Sequence, residues 1–288
     1  MNHSKRVARL GIGTVQFGQA YGISNTRGRV PEGDVAVILR RGAEAGVGTL
    51  DTAANYSEAE AVLGALAPLT RPFRIVTKTA NLKNGLAPLI ARARQSALTL
   101  QRRPVDLLLV HAATDLAGSE GDALWNALLA LKQEGLFKGI GISAYVADDP
   151  VALARRFKPD AMQVPLSLLD QRLIRSGALA ALKAGGVEIH ARSLFLQGLL
   201  FLETLPPKLA AAAPHLAALR RRVADAGSTP LAAALAFALD QQIDVAVVGV
   251  TTPRELDEIL AAAALPPPQL DWSACALEDE TVLTPSRW

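Results

Sequence analysis

Short apolar runs alternate with longer Ala/Leu/Arg-rich runs of helical period almost from end to end of this chain, and this alternation restricts the fold more than any other feature. The spacing predicts strands over Arg9–Gly13, Gly48–Thr52, Arg74–Lys78, Val105–His111, Lys138–Ser143, Ala161–Val164, Gly186–Ala191 and Asp244–Gly249. Helices are predicted over Glu32–Ala45, up to Leu66, over Pro88–Leu100, Asp122–Glu134, Pro150–Arg156 and Leu173–Ala184, through the stretch between Pro207 and Asp240, and over Pro253–Ala263. Strict alternation with short connections argues for a parallel sheet. Runs such as Asp106–Val110 (DLLLV) and Val245–Val248 (VAVV) have the near-continuous apolar character of strands covered on both faces. Eight such units in 288 residues match a single-domain (β/α)8 TIM barrel, an α/β fold. An open doubly wound sheet would instead carry a G-x-G-x-x-G turn after its first strand. Here Gly11-Ile12-Gly13 runs into Thr14-Val15-Gln16, without the third glycine. Residues 1–265 are expected to form the barrel, and residues 266–288, proline-rich and then polar and acidic, a tail packed over it.

Composition narrows the setting. Thirty Lys and Arg against 27 Asp and Glu leave a net charge of +3, and no basic run has the length of a nucleic-acid-binding arm. Arg220-Arg221-Arg222 lies within a helical pattern and reads as a solvated face. A single cysteine, Cys275, cannot form an internal disulfide, which points to a reducing compartment. The segment Met1–Arg9 is basic and polar, with no apolar run behind it to make a signal peptide. Charges and prolines interrupt every apolar stretch short of the ~18 residues of a membrane span. A cytoplasmic protein without nucleic-acid or membrane partners is expected; the oligomeric state is open.

In a (β/α)8 barrel, chemistry sits at the C-terminal ends of the strands. Asp51 ends the second predicted strand, Lys78 the third and His111 the fourth, so three ionisable groups from successive strands converge on one mouth. Taken singly, these could be a helix cap, a surface lysine and a core histidine. Tyr56 follows Asp51 closely enough to reach the same mouth. An ammonium beside a phenol favours the phenolate, and a carboxylate holds the ammonium in place. Such a phenol can act as a general acid toward a carbonyl oxygen, and as a base in reverse. A neutral His111 can orient that carbonyl or stabilise charge developing on its oxygen.

These four residues resemble the catalytic tetrad of the aldo-keto reductase superfamily, and the likeness extends along the chain. Asp51-Thr52-Ala53-x-x-Tyr56-x-x-x-Glu60-x-x-Leu63-Gly64 is similar to the family's Asp–Tyr segment. Gly139–Ser143, Met162–Val164, Ser193–Leu200 and Val248–Pro253 resemble its motifs at the fifth to eighth strands. The resemblance implies an NADPH- or NADH-dependent reductase of small aldehydes or ketones, with Tyr56 as proton donor, Asp51 and Lys78 tuning it, and His111 positioning the carbonyl. It further implies Ser143 and Gln163 at the nicotinamide carboxamide, Thr14 near the ribose and Ser193, Leu194, Gln197 and Gly198 along the pyrophosphate. Gly249, Thr251, Arg254, Glu255 and Glu258 fall in the dinucleotide segment. No metal is implied.

Three departures matter. Ala144 replaces an asparagine that would contact the carboxamide. Arg192 replaces an aromatic that often stacks on nicotinamide, a role its planar guanidinium could take. Glu255 and Ile259 stand where many members carry Gln or Arg, and Asn. Glu255 would repel a 2′-phosphate while the neighbouring Arg254 could attract it, so NADPH and NADH both stay open. Substrate contacts are expected from Phe17 and Tyr21 in the loop Val15–Arg29, with His111, and from the tail carrying Trp272 and Trp288. The polar, glycine-rich loop Val15–Arg29 suits a sugar-like or other small polar carbonyl. A different class stays open: the superfamily includes regulatory potassium channel β subunits, which bind cofactor with little turnover. A metal-dependent hydrolase would need several His and Asp ligands at strand ends, and the four histidines are His3, His111, His190 and His215.

Overall fold

Eight parallel strands close into a barrel in sequence order: β1 (Leu10–Gly13), β2 (Thr49–Asp51), β3 (Arg74–Lys78), β4 (Val105–Val110), β5 (Phe137–Ser143), β6 (Ala161–Pro165), β7 (Glu188–Arg192) and β8 (Val245–Gly249). Closure is explicit in the register, where Gly11 of β1 faces Thr49 of β2 on one side and Val247 of β8 on the other. This computed structural model describes residues 3–288; Met1 and Asn2, at the start of the segment read for a leader, lie outside the described residues. No helix among the described residues is long and apolar enough to cross a membrane.

Because side chains alternate across a strand, each strand serves two environments. One set, including Ile12, Leu50, Ile75, Leu108, Ile140, Met162, Ile189 and Val248, packs against the surrounding helices in one extended apolar cluster. The other set points into the lumen, where Val76, Leu107, Leu109 and Ala161 form a separate small cluster. Small residues on β5 make that interior possible: a Cβ on Gly141 would sit 2.3 Å from the Ala161 carbonyl oxygen and 2.6 Å from Leu109 Cδ2. Below this plug, Arg74 and Glu188, the first residues of β3 and β7, join in a bidentate ion pair of 2.7 and 3.1 Å. His190 Nε2 lies 2.8 Å from the same carboxylate.

Two predicted helices are each broken. The segment predicted over Leu173–Ala184 forms two pieces, Arg172–Arg175 and Ala178–Ala184. Gly177 separates them at φ 73°, a left-handed conformation that glycine adopts without a Cβ penalty. The stretch between Pro207 and Asp240 becomes a 3-10 segment followed by the helices Ala213–Asp225 and Pro230–Asp240. Thr229 starts the last of these by accepting the Ala232 N–H, with Pro230 at its first position.

The segment after Leu265 packs on the loop that follows β6 and on the helix Pro230–Asp240, and its Pro285 reaches the mouth. Leu277 N–H donates to the Leu169 carbonyl, Gln171 donates to the Trp272 carbonyl, and Trp272 packs edge-on against Phe237 at 5.7 Å.

Candidate active site

Burial decides which groups at the mouth can do chemistry. Lys78 is 1% exposed, yet its Nζ donates to Asp51 Oδ2 at 2.7 Å, the Thr52 carbonyl at 3.0 Å and Tyr56 Oη at 3.3 Å. Burial alone would lower the lysine pKa, but the charge and hydrogen bonds of Asp51 and Tyr56 outweigh it and hold the group above its ordinary value. Lys78 is therefore an ammonium whose charge bears directly on the phenol oxygen. Asp51 spends its second oxygen on Gln163 Nε2, at 2.6 Å.

His111, just beyond β4, meets the Tyr56 ring edge-on at 5.7 Å. Burial, followed by the positive charge of Lys78, lowers its pKa to about 4, with Asp51 opposing and Arg192 adding to the shift. The imidazole is neutral near pH 7, and its Nδ1 is buried without a hydrogen-bond partner.

The backbone around Tyr56 is braced from behind. Glu60, 1% exposed on the helix Ala59–Ala65, accepts from Thr77 Oγ1 (2.6 Å), Ser96 Oγ (3.0 Å) and Arg92 Nη2 (2.6 Å). Arg92 Nη2 also reaches the Ala54 carbonyl, tying the Asp51–Tyr56 turn to the helix Leu86–Thr99. From the other side comes the short helix Val15–Gly18, where a Cβ on Gly18 would lie 1.9 Å from the Tyr56 carbonyl oxygen. Only glycine permits that approach. Thr14 spends its N–H and its hydroxyl on the Asp51 carbonyl (2.9 and 3.0 Å) and clamps the end of β2.

These groups form one end of a cavity of about 1110 Å³, ample for a dinucleotide and a small substrate. Of the residues expected here, Thr14, Ser143, Gln163, Arg192, Ser193, Leu194, Gln197, Gly198, Gly249, Thr251, Glu255 and Glu258 all line it, together with Asp51, Tyr56, Lys78, His111 and Tyr21. Ser143 and Gln163 are paired neighbours on β5 and β6. The donor set fits a nicotinamide dinucleotide: Gln163 has its amide nitrogen engaged and its oxygen available, and Gln16 lines the wall with a buried Oε1 that lacks any protein partner.

Other expectations are corrected. Phe17 is fully buried and does not line the cavity, because the turn Val15–Gly18 rotates it into the core while Gln16 lines the wall. Arg254 points to solvent, 88% exposed, and pairs with Glu258 at 2.8 Å. Trp272 and Trp288 leave the wall to Pro285: the first packs on Phe237, the second donates to the Thr281 carbonyl. One face of the Arg192 guanidinium is covered by Tyr145, whose ring centroid lies 4.2 Å from Cζ. Gln16 and Tyr145 were not anticipated. The signal for Tyr145 was scarcity, since all three tyrosines of the chain line this cavity. Nothing local distinguishes Gln16.

A family model described as the aldo/keto reductase family matches residues 9–277. L-galactose dehydrogenase of Arabidopsis thaliana is 28% identical over 283 residues, covering 91% of this chain and 86% of that protein. An aldo-keto reductase of Mycolicibacterium smegmatis is 32% identical over 138 residues, 46% of this chain and 48% of that protein. In fold, the chain is similar to the holo form of an aldo-keto reductase from Bacillus halodurans, with a TM-score of 0.72 at 23% identity over 90% of this chain and 87% of that one.

Proposed function

The chain belongs to the aldo/keto reductase family, a family of oxidoreductases, and from that premise we propose that it reduces an aldehyde or ketone to the alcohol with NADH or NADPH, Tyr56 being the general acid. The observation that carries this reading is the contact of a buried Lys78 ammonium with both Asp51 and Tyr56 Oη, beside a neutral His111 at the end of the cavity.

When bound, the reduced nicotinamide supplies the hydride to the carbonyl carbon. Ser143 and Gln163 would hold its carboxamide, and the segment Ser193–Gly198 with Gly249 and Thr251 would follow the rest of the dinucleotide. Tyr56 Oη gives its proton to the carbonyl oxygen, so the substrate gains a hydride and a proton. Lys78, 3.3 Å away, stabilises the phenolate that remains. Asp51 fixes the ammonium through its 2.7 Å bond. A neutral His111 can donate to the carbonyl oxygen and align it without competing as an acid.

The far end of the cavity favours NADH. Glu255 accepts from the Thr251 N–H at 2.6 Å and the Thr251 hydroxyl at 2.8 Å, taking two donors that a 2′-phosphate would need. Glu258 adds a second carboxylate to the lining, offset by its pair with the exposed Arg254, which does not itself line the cavity. A carboxylate suits a free ribose hydroxyl and repels a dianionic phosphate.

The test is oxidation of NADH and NADPH in the presence of aldehydes, aldoses and ketones, with the Tyr56→Phe variant as control. Tyr56-dependent oxidation supports the reading. Cofactor binding without oxidation against the whole panel would leave a regulatory subunit instead.

A further inference from the structure

Among the described residues, Arg74 and Arg192 sit on lumen-facing positions of β3 and β7, and of these two Arg74 alone has a carboxylate partner. Arg74 is neutralised by both oxygens of Glu188. Arg192, half-buried at the end of β7, has weaker contacts: Nη1 to Ser193 Oγ at 3.3 Å, Nη2 to the Ala144 carbonyl at 3.3 Å, and the Tyr145 ring against its face. No carboxylate of the described residues lies within 4 Å of it.

Lys78 pairs with Asp51 and His111 is neutral, whereas Arg192 brings a guanidinium without a directly paired carboxylate to the wall that His111 and Tyr56 share. Its effect reaches the chemistry, because Arg192 is among the charges that lower the His111 pKa. Asp148, the nearest acid in sequence among the lining residues, is turned to its own turn and accepts the Tyr145 N–H at 2.7 Å. A partly desolvated guanidinium without an anion costs stability, and its fork geometry suits a carboxylate.

We infer that Arg192 is the anchor for a carboxylate on the carbonyl substrate, so that the substrate class is the oxo acids, including aldehydes that bear a distal carboxylate. This rests on the reductase reading for what happens to the carbonyl, but the binding of the anion does not depend on turnover.

Two isosteric pairs separate charge from shape: 4-formylbenzoate against 4-formylbenzamide, and 4-oxobutanoate against 4-oxobutanamide. Calorimetric Kd values and kcat/KM are measured for wild type, Arg192→Met and Arg192→Lys, with the cofactor Kd read by fluorescence in each. For at least one pair, wild type is expected to bind the carboxylate tenfold or more tightly than the amide, with the preference weakening as salt rises. Arg192→Met should bring that ratio to within about twofold of one, while Arg192→Lys keeps part of it. Equal binding of acid and amide by wild type in both pairs overturns the inference. So does a ratio unmoved in Arg192→Met, or a loss confined to cofactor affinity, which would assign Arg192 to the dinucleotide. Selective carboxylate binding with no cofactor oxidation would sustain the anchor and sink the reductase reading.

Discussion

The two ends of this barrel are built from the same kinds of residue and put to different uses. The floor carries Arg74, Glu188 and His190; the mouth carries Lys78, Asp51, His111 and Arg192. On the floor every charge closes on another protein group, Glu188 accepting from Arg74 and facing His190, and its carboxyl is held down to about 2 against burial by those bonds. At the mouth the pairing is deliberately incomplete in chemical terms: the ammonium is shared with a phenol, the imidazole is kept neutral, and one guanidinium has no anion. The apolar plug of Val76, Leu107, Leu109 and Ala161 lies between them. Both ends leave a buried imidazole nitrogen without a partner, His190 Nδ1 on the floor and His111 Nδ1 at the mouth, so what sets the mouth apart is that its charged groups line the open cavity.

The comparison breaks most visibly on turnover. Tyr56→Phe should cut kcat by roughly 10²–10⁴, the usual range for a general acid, with cofactor Kd little changed, whereas Glu188→Gln on the floor should stay within about twofold of wild type. Steady-state kinetics on both variants decides this, and wild-type turnover in Tyr56→Phe would remove the phenol from the mechanism.

Lys78→Met probes the mouth as a structure. It leaves Asp51, 4% exposed, as a buried carboxylate with only Gln163 beside it. Loss of one partner of a buried pair typically costs about 3–5 kcal/mol. Chemical denaturation should register that loss together with a collapse of kcat. Full stability with lost activity would mean that Asp51 simply takes up a proton.

Acid unfolding sharpens the contrast, because the two ends titrate in neighbouring windows. The His111 pKa falls from 6.5 to about 4 on folding, so the unfolded chain binds the proton first. Its stabilising contribution is present above pH 6.5 and is lost as pH falls toward 4. Glu188 is depressed from 4.5 to about 2, so its contribution holds above 4.5 and is lost between 4.5 and 2. Each is worth at most ~3 kcal/mol and less after solvent screening. His111→Phe should flatten the stability profile between pH 6.5 and 4 and leave the lower limb, while Glu188→Gln should do the reverse. Identical profiles for the two variants would mean that other groups dominate the acid transition.

The smallest effect is expected at the far end of the mouth. Glu255→Gln should move the ratio of NADPH to NADH affinity several-fold toward NADPH, since one partly exposed carboxylate is worth about 1 kcal/mol. Arg254→Ala should move the ratio at most slightly, toward NADH, because that exposed guanidinium acts only by offsetting Glu258. Fluorescence titration of both cofactors against both variants reads it, and an unmoved ratio in Glu255→Gln would show that Glu255 does not face the 2′ position.

The barrel and the convergence of Asp51, Lys78 and His111 on its mouth were legible because both follow from period, whereas Tyr56 was reached by its closeness to Asp51 and by resemblance. Alternating apolar runs and helical stretches dictate eight β/α units, and in such a fold the last residue of a strand is at the mouth wherever the strand ends. Asp51, Lys78 and Ser143 end β2, β3 and β5 as that logic requires, His111 lies one residue past β4, and Arg192 ends β7 one residue beyond the strand read from the sequence. What tertiary structure alone decided lies in loops and at helix starts, where no period fixes the direction of a side chain. Phe17 and Gln16 are adjacent, and only packing against the helix Ala59–Ala65 and the core sent the aromatic inward and the amide to the cavity wall. Arg254 and Glu255 share one helical turn, and the bonds from Thr251 turned the acid inward while the arginine stayed in water. Local sequence determines how a segment is shaped; which of its neighbouring side chains meets the site depends on surfaces far away in the chain.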